Sequence, residues 1–218
     1  MSRSQMETIE RELKFTLDGK PEFERLLSAL PQPKQIMYQE NIFFDTPGRT
    51  LCDNGWALRV RLETDERQNT QAEITAKGLS QGKEFFSERP EISSRLELST
   101  ATCIIAGGFD LLALSAPAVE KIRRYAAAEK LIPLVSFKNT RSTVPFPERS
   151  PFCFLEIDET FFSESRVDYE LEIELQDREA LEKACREIRK FFDEHEIHYQ
   201  PGKKSKLERA LELSENSV

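Results

Sequence analysis

The 218-residue sequence has only two histidines, His195 and His198, and four cysteines, Cys52, Cys103, Cys153 and Cys185. The cysteines are scattered, with no Cys-x-x-Cys spacing, so neither a zinc knuckle nor a disulfide scaffold is indicated. The histidines have a metal-like spacing, but two ligands near a helix end are too few for zinc, and they read as surface residues. No stretch approaches the roughly 20 apolar residues of a membrane span, and no secretory leader is visible. The expectation is a cytoplasmic protein with reduced thiols and no membrane partner. Acidic groups outnumber basic ones, 39 to 31, for a formal net charge of −8. That excess argues against non-specific nucleic-acid binding, and no sequence-specific nucleic-acid partner is expected. It leaves an anionic small molecule open, because local arrangement of charge decides that. Gly78-Leu79-Ser80-Gln81-Gly82-Lys83 resembles a phosphate loop superficially, but it is one residue short and lies between strands. No internal repeat or low-complexity linker divides the chain.

What is present is charge in a regular pattern. Hydrophobic residues make 39% and charged residues 32% of the chain, which fits a folded domain unusually rich in ionisable groups. In Ile9-Glu10-Arg11-Glu12-Leu13-Lys14-Phe15 charged and apolar residues alternate with period two, the mark of a strand with two different faces. Glu10, Glu12 and Lys14 share one face and Ile9, Leu13 and Phe15 the other. The same reading predicts strands over residues 8–16, 35–45, 56–62, 72–78, 84–92, 135–144, 152–158 and 168–175. A helix opened by Pro21 follows the first strand, residues 94–130 are helical and broken at Gly107-Gly108, and a final amphipathic helix over 178–194 is capped by Asp177. Residues 1–7 are expected to form a disordered leader, 8–212 a single domain, and 213–218 a disordered tail.

The strand faces segregate charge by sign. Arg59 and Arg61 share one strand face, while Glu170, Glu172 and Glu174 share another. Like charges aligned on one face repel, so ligands of opposite sign are a plausible compensation. Paired arginines suit phosphate oxygens, and clustered carboxylates suit hard divalent cations such as Mg²⁺ or Mn²⁺. A polar-lined antiparallel barrel would bring both sets around a metal-bound polyphosphate. Solvated outer strand faces are the alternative.

An ordered set of motifs extends this reading. Glu10-Arg11-Glu12-Leu13-Lys14 matches a Glu-x-Glu-x-Lys signature. Phe43-Phe44-Asp45-Thr46-Pro47, Leu58-Arg59-Val60-Arg61, Lys77-Gly78, Arg89 with Glu91, and Arg141 follow in order. Leu155-Glu156-Ile157-Asp158, the strand Glu170-Leu171-Glu172-Ile173-Glu174 and Ser205-Lys206-Leu207 complete the set. Over residues 8–212 the chain resembles the CYTH superfamily, the triphosphate tunnel metalloenzymes. Leu207 departs from the tyrosine usual in the last motif.

The resemblance implies an α+β fold: a closed eight-stranded antiparallel barrel with a charged interior and flanking helices. It implies metal ligands at Glu10, Glu12, Asp158, Glu170, Glu172 and Glu174. It implies phosphate-binding cations at Lys14, Arg59, Arg61, Lys77, Arg89, Arg141 and Lys206. Lys14, Lys77 and Glu172 are the catalytic candidates, and Glu91 and Glu156 support the site. The expected activity is Mg²⁺- or Mn²⁺-dependent hydrolysis of inorganic tripolyphosphate to pyrophosphate and phosphate, in a monomer or homodimer. Thiamine triphosphatase, class IV adenylyl cyclase and a non-catalytic polyphosphate- or nucleotide-binding module are the alternatives. Trp56 is expected to pack the barrel rather than stack on a thiazolium. Asp45 is expected to fix a turn.

Overall fold

A computed structural model describes residues 7–126, 129–146 and 154–215. Cys153, residues 1–6 of the expected leader and residues 216–218 of the expected tail lie outside this set. Among the described residues ten strands are present: β1 (Thr8–Leu17), β2 (Gln35–Asp45), β3 (Ala57–Asp65), β4 (Thr70–Lys77), β5 (Gln81–Lys83), β6 (Phe86–Leu96), β7 (Ile132–Pro145), β8 (Phe154–Ser163), β9 (Arg166–Glu174) and β10 (Tyr199–Pro201). Eight of them form a closed antiparallel ring in the order β1-β9-β8-β7-β2-β3-β4-β6, and β6 returns to β1. The short β5 and β10 add to β6 and β1. Closure falls on β1, which places Glu10 opposite Arg89 on one side and Lys14 opposite Glu172 on the other. A closed ring leaves no ladder edge among the eight strands, which removes the usual hazard of unpaired backbone groups.

The period-two alternation turns apolar side chains outward and charged ones inward, so the cores lie between barrel and helices. Helices α1 (Lys20–Ala29) and α5 (Leu181–Glu194) cover β1, β8 and β9, burying Leu13, Phe15, Ile157 and Leu171 against Leu26, Ile188 and Phe192. On the other flank α2 (Thr50–Asp53), α3 (Leu98–Ile105) and α4 (Pro117–Ala126) bury Leu58, Val60, Ile74 and Ile92 against Leu51, Ile104 and Ile122. Each such aliphatic side chain contributes roughly 1.5–3 kcal/mol on burial, and these two outer cores offset the cost of a polar interior. Helix α6 (Lys206–Glu215) lies across the barrel end where β2 and β8 finish and β7 and β9 begin. There Leu207 and Ala210 pack with Phe43, Phe137 and Phe162.

Several boundaries differ from the expectation. The predicted strand 84–92 continues to Leu96, and its first residues belong to the β5–β6 turn. The strand expected at 152–158 runs from Phe154 to Ser163, residues 152 and 153 being outside the described set. Helix α5 begins three residues after Arg178; Asp177 Oδ1 accepts the Ala180 N–H at 2.9 Å and so closes the preceding turn instead. Residues 213–215 of the expected tail are helical, and Glu7 of the expected leader pairs with Lys121 at 2.6 Å. The short helix α2 was not foreseen. Asp45, buried at 2% exposure, accepts the Thr46, Leu51 and Cys52 amides at 2.7–3.0 Å and fixes its start. Among the described residues no helix is long and apolar enough to cross a membrane.

Candidate active site

The barrel interior encloses a cavity of about 820 Å³. Thirteen of the fifteen predicted site residues line it: Glu10, Glu12, Lys14, Arg59, Arg61, Lys77, Arg89, Glu91, Arg141, Glu156, Glu172, Glu174 and Lys206. Asp158 and Glu170 point inward as predicted but are fully buried and do not reach the cavity. Lys206 covers both. Arg11 faces the other way, 3.5 Å from Glu88. His198 is exposed beside Glu22, and the Gly78–Lys83 segment forms part of the cavity rim rather than opening a helix.

The wall built by β1, β8 and β9 is acidic and is neutralised from within the protein. Lys14 Nζ lies 3.1 Å from both Glu12 Oε1 and Glu172 Oε1. Lys206 Nζ reaches Asp158 Oδ2 at 2.9 Å, and Glu170 Oε2 and Glu172 Oε1 at 2.8 Å. Arg141 donates to both Asp158 oxygens at 2.8 and 2.6 Å, to Glu172 Oε2 at 2.6 Å, and to Glu156. Toward the far end Glu10 accepts from Arg89 Nε at 2.5 Å and Lys77 Nζ at 2.9 Å, and Lys77 also meets Glu91 at 2.7 Å.

Burial alone would drive every one of these groups toward its neutral form, and the pairing overcomes that in most. Against desolvation, Glu12 and Glu172 hold Lys14 well above the ordinary lysine range. Asp158 and Glu170 do the same for Lys206. Asp158 is held down to about 2, and Glu172 well below the usual carboxylate range, because nearby cations outweigh their burial. Glu156 and Glu174 shift upward, pushed by burial and by neighbouring carboxylates.

The β3 and β4 wall is different. Arg59 is only 7% exposed, yet its nearest acceptors are Thr75 Oγ1 at 3.3 Å and Glu73 Oε1 at 3.5 Å, and its Nε has no hydrogen-bond partner. Burial, with Arg61 adding like charge, pushes it down to about 9. Arg61 donates to Asn41 Oδ1 at 2.8 Å and Glu63 Oε1 at 3.3 Å. Lys77 also shifts downward, through burial and Arg89. A buried, under-neutralised cation pair opening on a cavity is a site for an anion.

Carboxylate oxygens on the opposite wall fit a hard divalent cation in kind. Lys14 approaches Glu12 Oε1 without a hydrogen-bonding geometry, so that buried oxygen remains available; Glu170 Oε1 is also unpartnered but lies beneath the cavity wall. Among the described residues, however, no three Asp, Glu, His or Cys side chains already converge as a metal site. The ammonium groups of Lys14 and Lys206 stand between the carboxylates.

A family model described as the CYTH domain matches residues 8–211. The chain belongs to the CYTH domain family. Solved structures share the CYTH fold over nearly the whole chain. HpAC1 of Hippeastrum, assigned as an adenylyl cyclase and described as having a dominant triphosphatase activity, superposes with a TM-score of 0.80. It is 22% identical over 94% of this chain and 96% of its own. A Bacillus halodurans protein assigned as an adenylate cyclase follows at TM-score 0.69 and 21% identity, covering 93% and 97%. The PH1819 protein of Pyrococcus horikoshii gives 0.62 at 16% identity, covering 92% and 98%. A search of curated proteins returns no match.

Two features of this CYTH interior escaped sequence reasoning. Asn139 donates to Gln39 Oε1 and Asp158 Oδ1, both at 2.9 Å, and accepts from Thr160 at 2.8 Å. Gln39 and Asn139 occupy inward positions of predicted strands, so alternation could have found them, whereas Thr160 lies past the predicted end of its strand. Arg209 on α6 clamps Asp168 and Glu170. Its three-residue spacing from Lys206 was the available signal.

Proposed function

We propose that this CYTH protein hydrolyses a triphosphate, inorganic tripolyphosphate foremost, with a divalent metal. The observation that carries the reading is Arg59, a buried guanidinium with an unpartnered Nε beside Arg61, on a cavity whose other wall is carboxylate. Arg59 and Arg61 would grip phosphate oxygens, joined by Lys14, Arg89, Arg141 and Lys206. Glu10, Glu12 and Glu172 would hold Mg²⁺ or Mn²⁺. That ion would supply charge neutralisation at the phosphate oxygens when bound. Water attacks the terminal phosphorus, the bridging P–O bond breaks, and phosphate and pyrophosphate leave. Of the two lysines considered for the water's proton, Lys77 is the better base, because its pKa moves downward while that of Lys14 moves up. Asp158 and Glu170 act from beneath by holding Lys206, and Asp158 also holds Arg141.

Trp56 lines the cavity, and the Lys121 ammonium against its ring disfavours a thiazolium there. Its ring already stacks on Tyr125 at 6.1 Å, with Lys121 Nζ 4.8 Å from its centroid. The deciding experiment compares tripolyphosphate, thiamine triphosphate and ATP side by side with Mg²⁺ or Mn²⁺, resolving phosphate, pyrophosphate and cyclic nucleotide. Tripolyphosphate should be cleaved fastest and EDTA should stop the reaction. Cyclic AMP as the main product, or activity that survives EDTA, would overturn the proposal.

A further inference from the structure

Helix α6 delivers Lys206 to the cavity, with Leu207 and Glu208 beside it on the lining, and its hold on the barrel is mostly ionic. Ala210 is its only buried residue, with Leu207 partly buried against Phe43 and Phe137. The helix starts in a reciprocal cap, in which Glu208 N–H donates to Ser205 Oγ at 3.2 Å and Ser205 N–H to Glu208 Oε2 at 2.7 Å. One turn on, Arg209 projects from the same face as Lys206. Its Nη1 donates to Asp168 Oδ2 at 2.8 Å and its Nη2 to Glu170 Oε2 at 2.6 Å, with Cζ 5.4 Å from the Phe162 ring centre. The same Glu170 oxygen lies 2.8 Å from Lys206 Nζ. Neither Arg209 nor Glu170 lines the cavity, so neither can touch a ligand there.

We propose that Arg209 is a positioning residue: its fork on Asp168 and Glu170 holds α6 on the barrel and thereby aims Lys206 into the cavity. The substrate half of this inference rests on the triphosphate reading above. A forked guanidinium between two strand carboxylates fixes direction as well as distance, which a lysine at the same place cannot do. Without Arg209, Asp168 keeps only the exposed Arg166 and Glu170 only Lys206, so α6 loses its tie to β9 at that turn and should loosen there. Lys206 then loses its fixed aim.

The test is a double-mutant cycle on the full chain with Arg209→Met, Lys206→Met, the double variant and Arg209→Lys. KM and kcat for tripolyphosphate with Mn²⁺ are measured alongside amide hydrogen exchange of residues 206–215. Lys206→Met should raise KM about 10- to 100-fold, the effect of one charge-assisted contact. Arg209→Met should raise it to a similar extent, the double variant should be no worse than Lys206→Met, and Arg209→Lys should recover part of the loss. Exchange in α6 should quicken in Arg209→Met while β2, β3 and β4 keep their protection. KM effects that multiply, or unchanged exchange in α6, would overturn the inference. Should Arg209→Met not fold, Asp168→Asn releases one arm of the fork and is read by the same two measurements. A wild-type protein that neither binds nor cleaves a triphosphate would sink the functional reading together with the substrate half. Normal α6 exchange in Arg209→Met sinks the positioning claim alone.

Discussion

Replacing Arg59 by methionine should make the protein more stable and a poorer binder of its substrate. The guanidinium is buried, with one long contact to Thr75 and one to Glu73. Its fall from the ordinary arginine range to about 9 corresponds to at most roughly 5 kcal/mol against the charged form. Relaxation and water entry reduce what is recovered, and exchanging buried ionic groups for apolar ones typically gains about 1–4 kcal/mol. A domain of this size gains about 2–4 °C in Tm per kcal/mol, so Arg59→Met should melt higher by several degrees in EDTA. The folded pKa lies below the unfolded one, so the penalty on the charged form is fully present below the shifted value. The guanidinium stays protonated at neutral pH, and the advantage of the variant should therefore be flat from about pH 6 to pH 8. Tripolyphosphate should reverse the order, because wild type gains the full ligand stabilisation and the variant loses a charge-assisted contact of about 1.5–3 kcal/mol. Circular-dichroism melts with and without tripolyphosphate measure both effects. A variant that melts below wild type without ligand, or that gains as much from ligand, refutes the reasoning.

Asp158→Asn should lower stability at pH 7 by about 3–5 kcal/mol, because it leaves Arg141 and Lys206 short of a partner. In wild type the Asp158 contribution is present above the ordinary value of 3.8 and is lost as pH falls through about 2. Urea midpoints from pH 5 to pH 2 should therefore fall less steeply in the variant, and parallel curves would refute the assignment. Gly202→Ala should disturb the site without replacing a charged residue. A Cβ there would lie 2.2 Å from Lys14 Cγ and 2.8 Å from its Cδ, forcing Lys14 away from Glu12 and Glu172. A KM about tenfold higher is expected from the lost aim of one cation, and an unchanged KM would show that Lys14 is not a substrate contact.

Much of this architecture was legible because charged and apolar residues alternate so regularly. Each barrel strand has a predicted counterpart, and the charged inward residues followed from face membership, which sets Arg11 on the outer side. Depth could not be read in the same way. Asp158 and Glu170 look like Glu172 in sequence, yet a lysine arriving from residue 206 covers them. That encounter spans 48 residues in one case and 36 in the other, and no local pattern encodes it. Side chain–backbone bonds overrode propensity at Asp177, which closes a turn ahead of α5, and at Asp45, which starts the unforeseen α2. Polar Ser93 and Ser94 hid the last turn of β6, whose register against β4 is set by the neighbouring strand rather than by its own composition.

The seam at β1 has a consequence in time. This strand pairs with β6 through Thr8–Leu13 and with β9 through Glu12–Thr16. A ribosome would release it well before its partner at residues 166–174. Until β9 exists, the hairpins from β2 to β6 can form but the ring cannot, and Leu13 and Phe15 stay in water. Contacts so distant in sequence must meet the full entropy of loop closure before they return any stabilisation. Seating β1 between β6 and β9 is therefore expected to be the late and slow event of folding, and the cavity comes into being only at that moment. Stopped-flow refolding would test this: Leu13→Ala should chiefly speed unfolding, and an equal loss in the folding rate would place the seam in the nucleus instead.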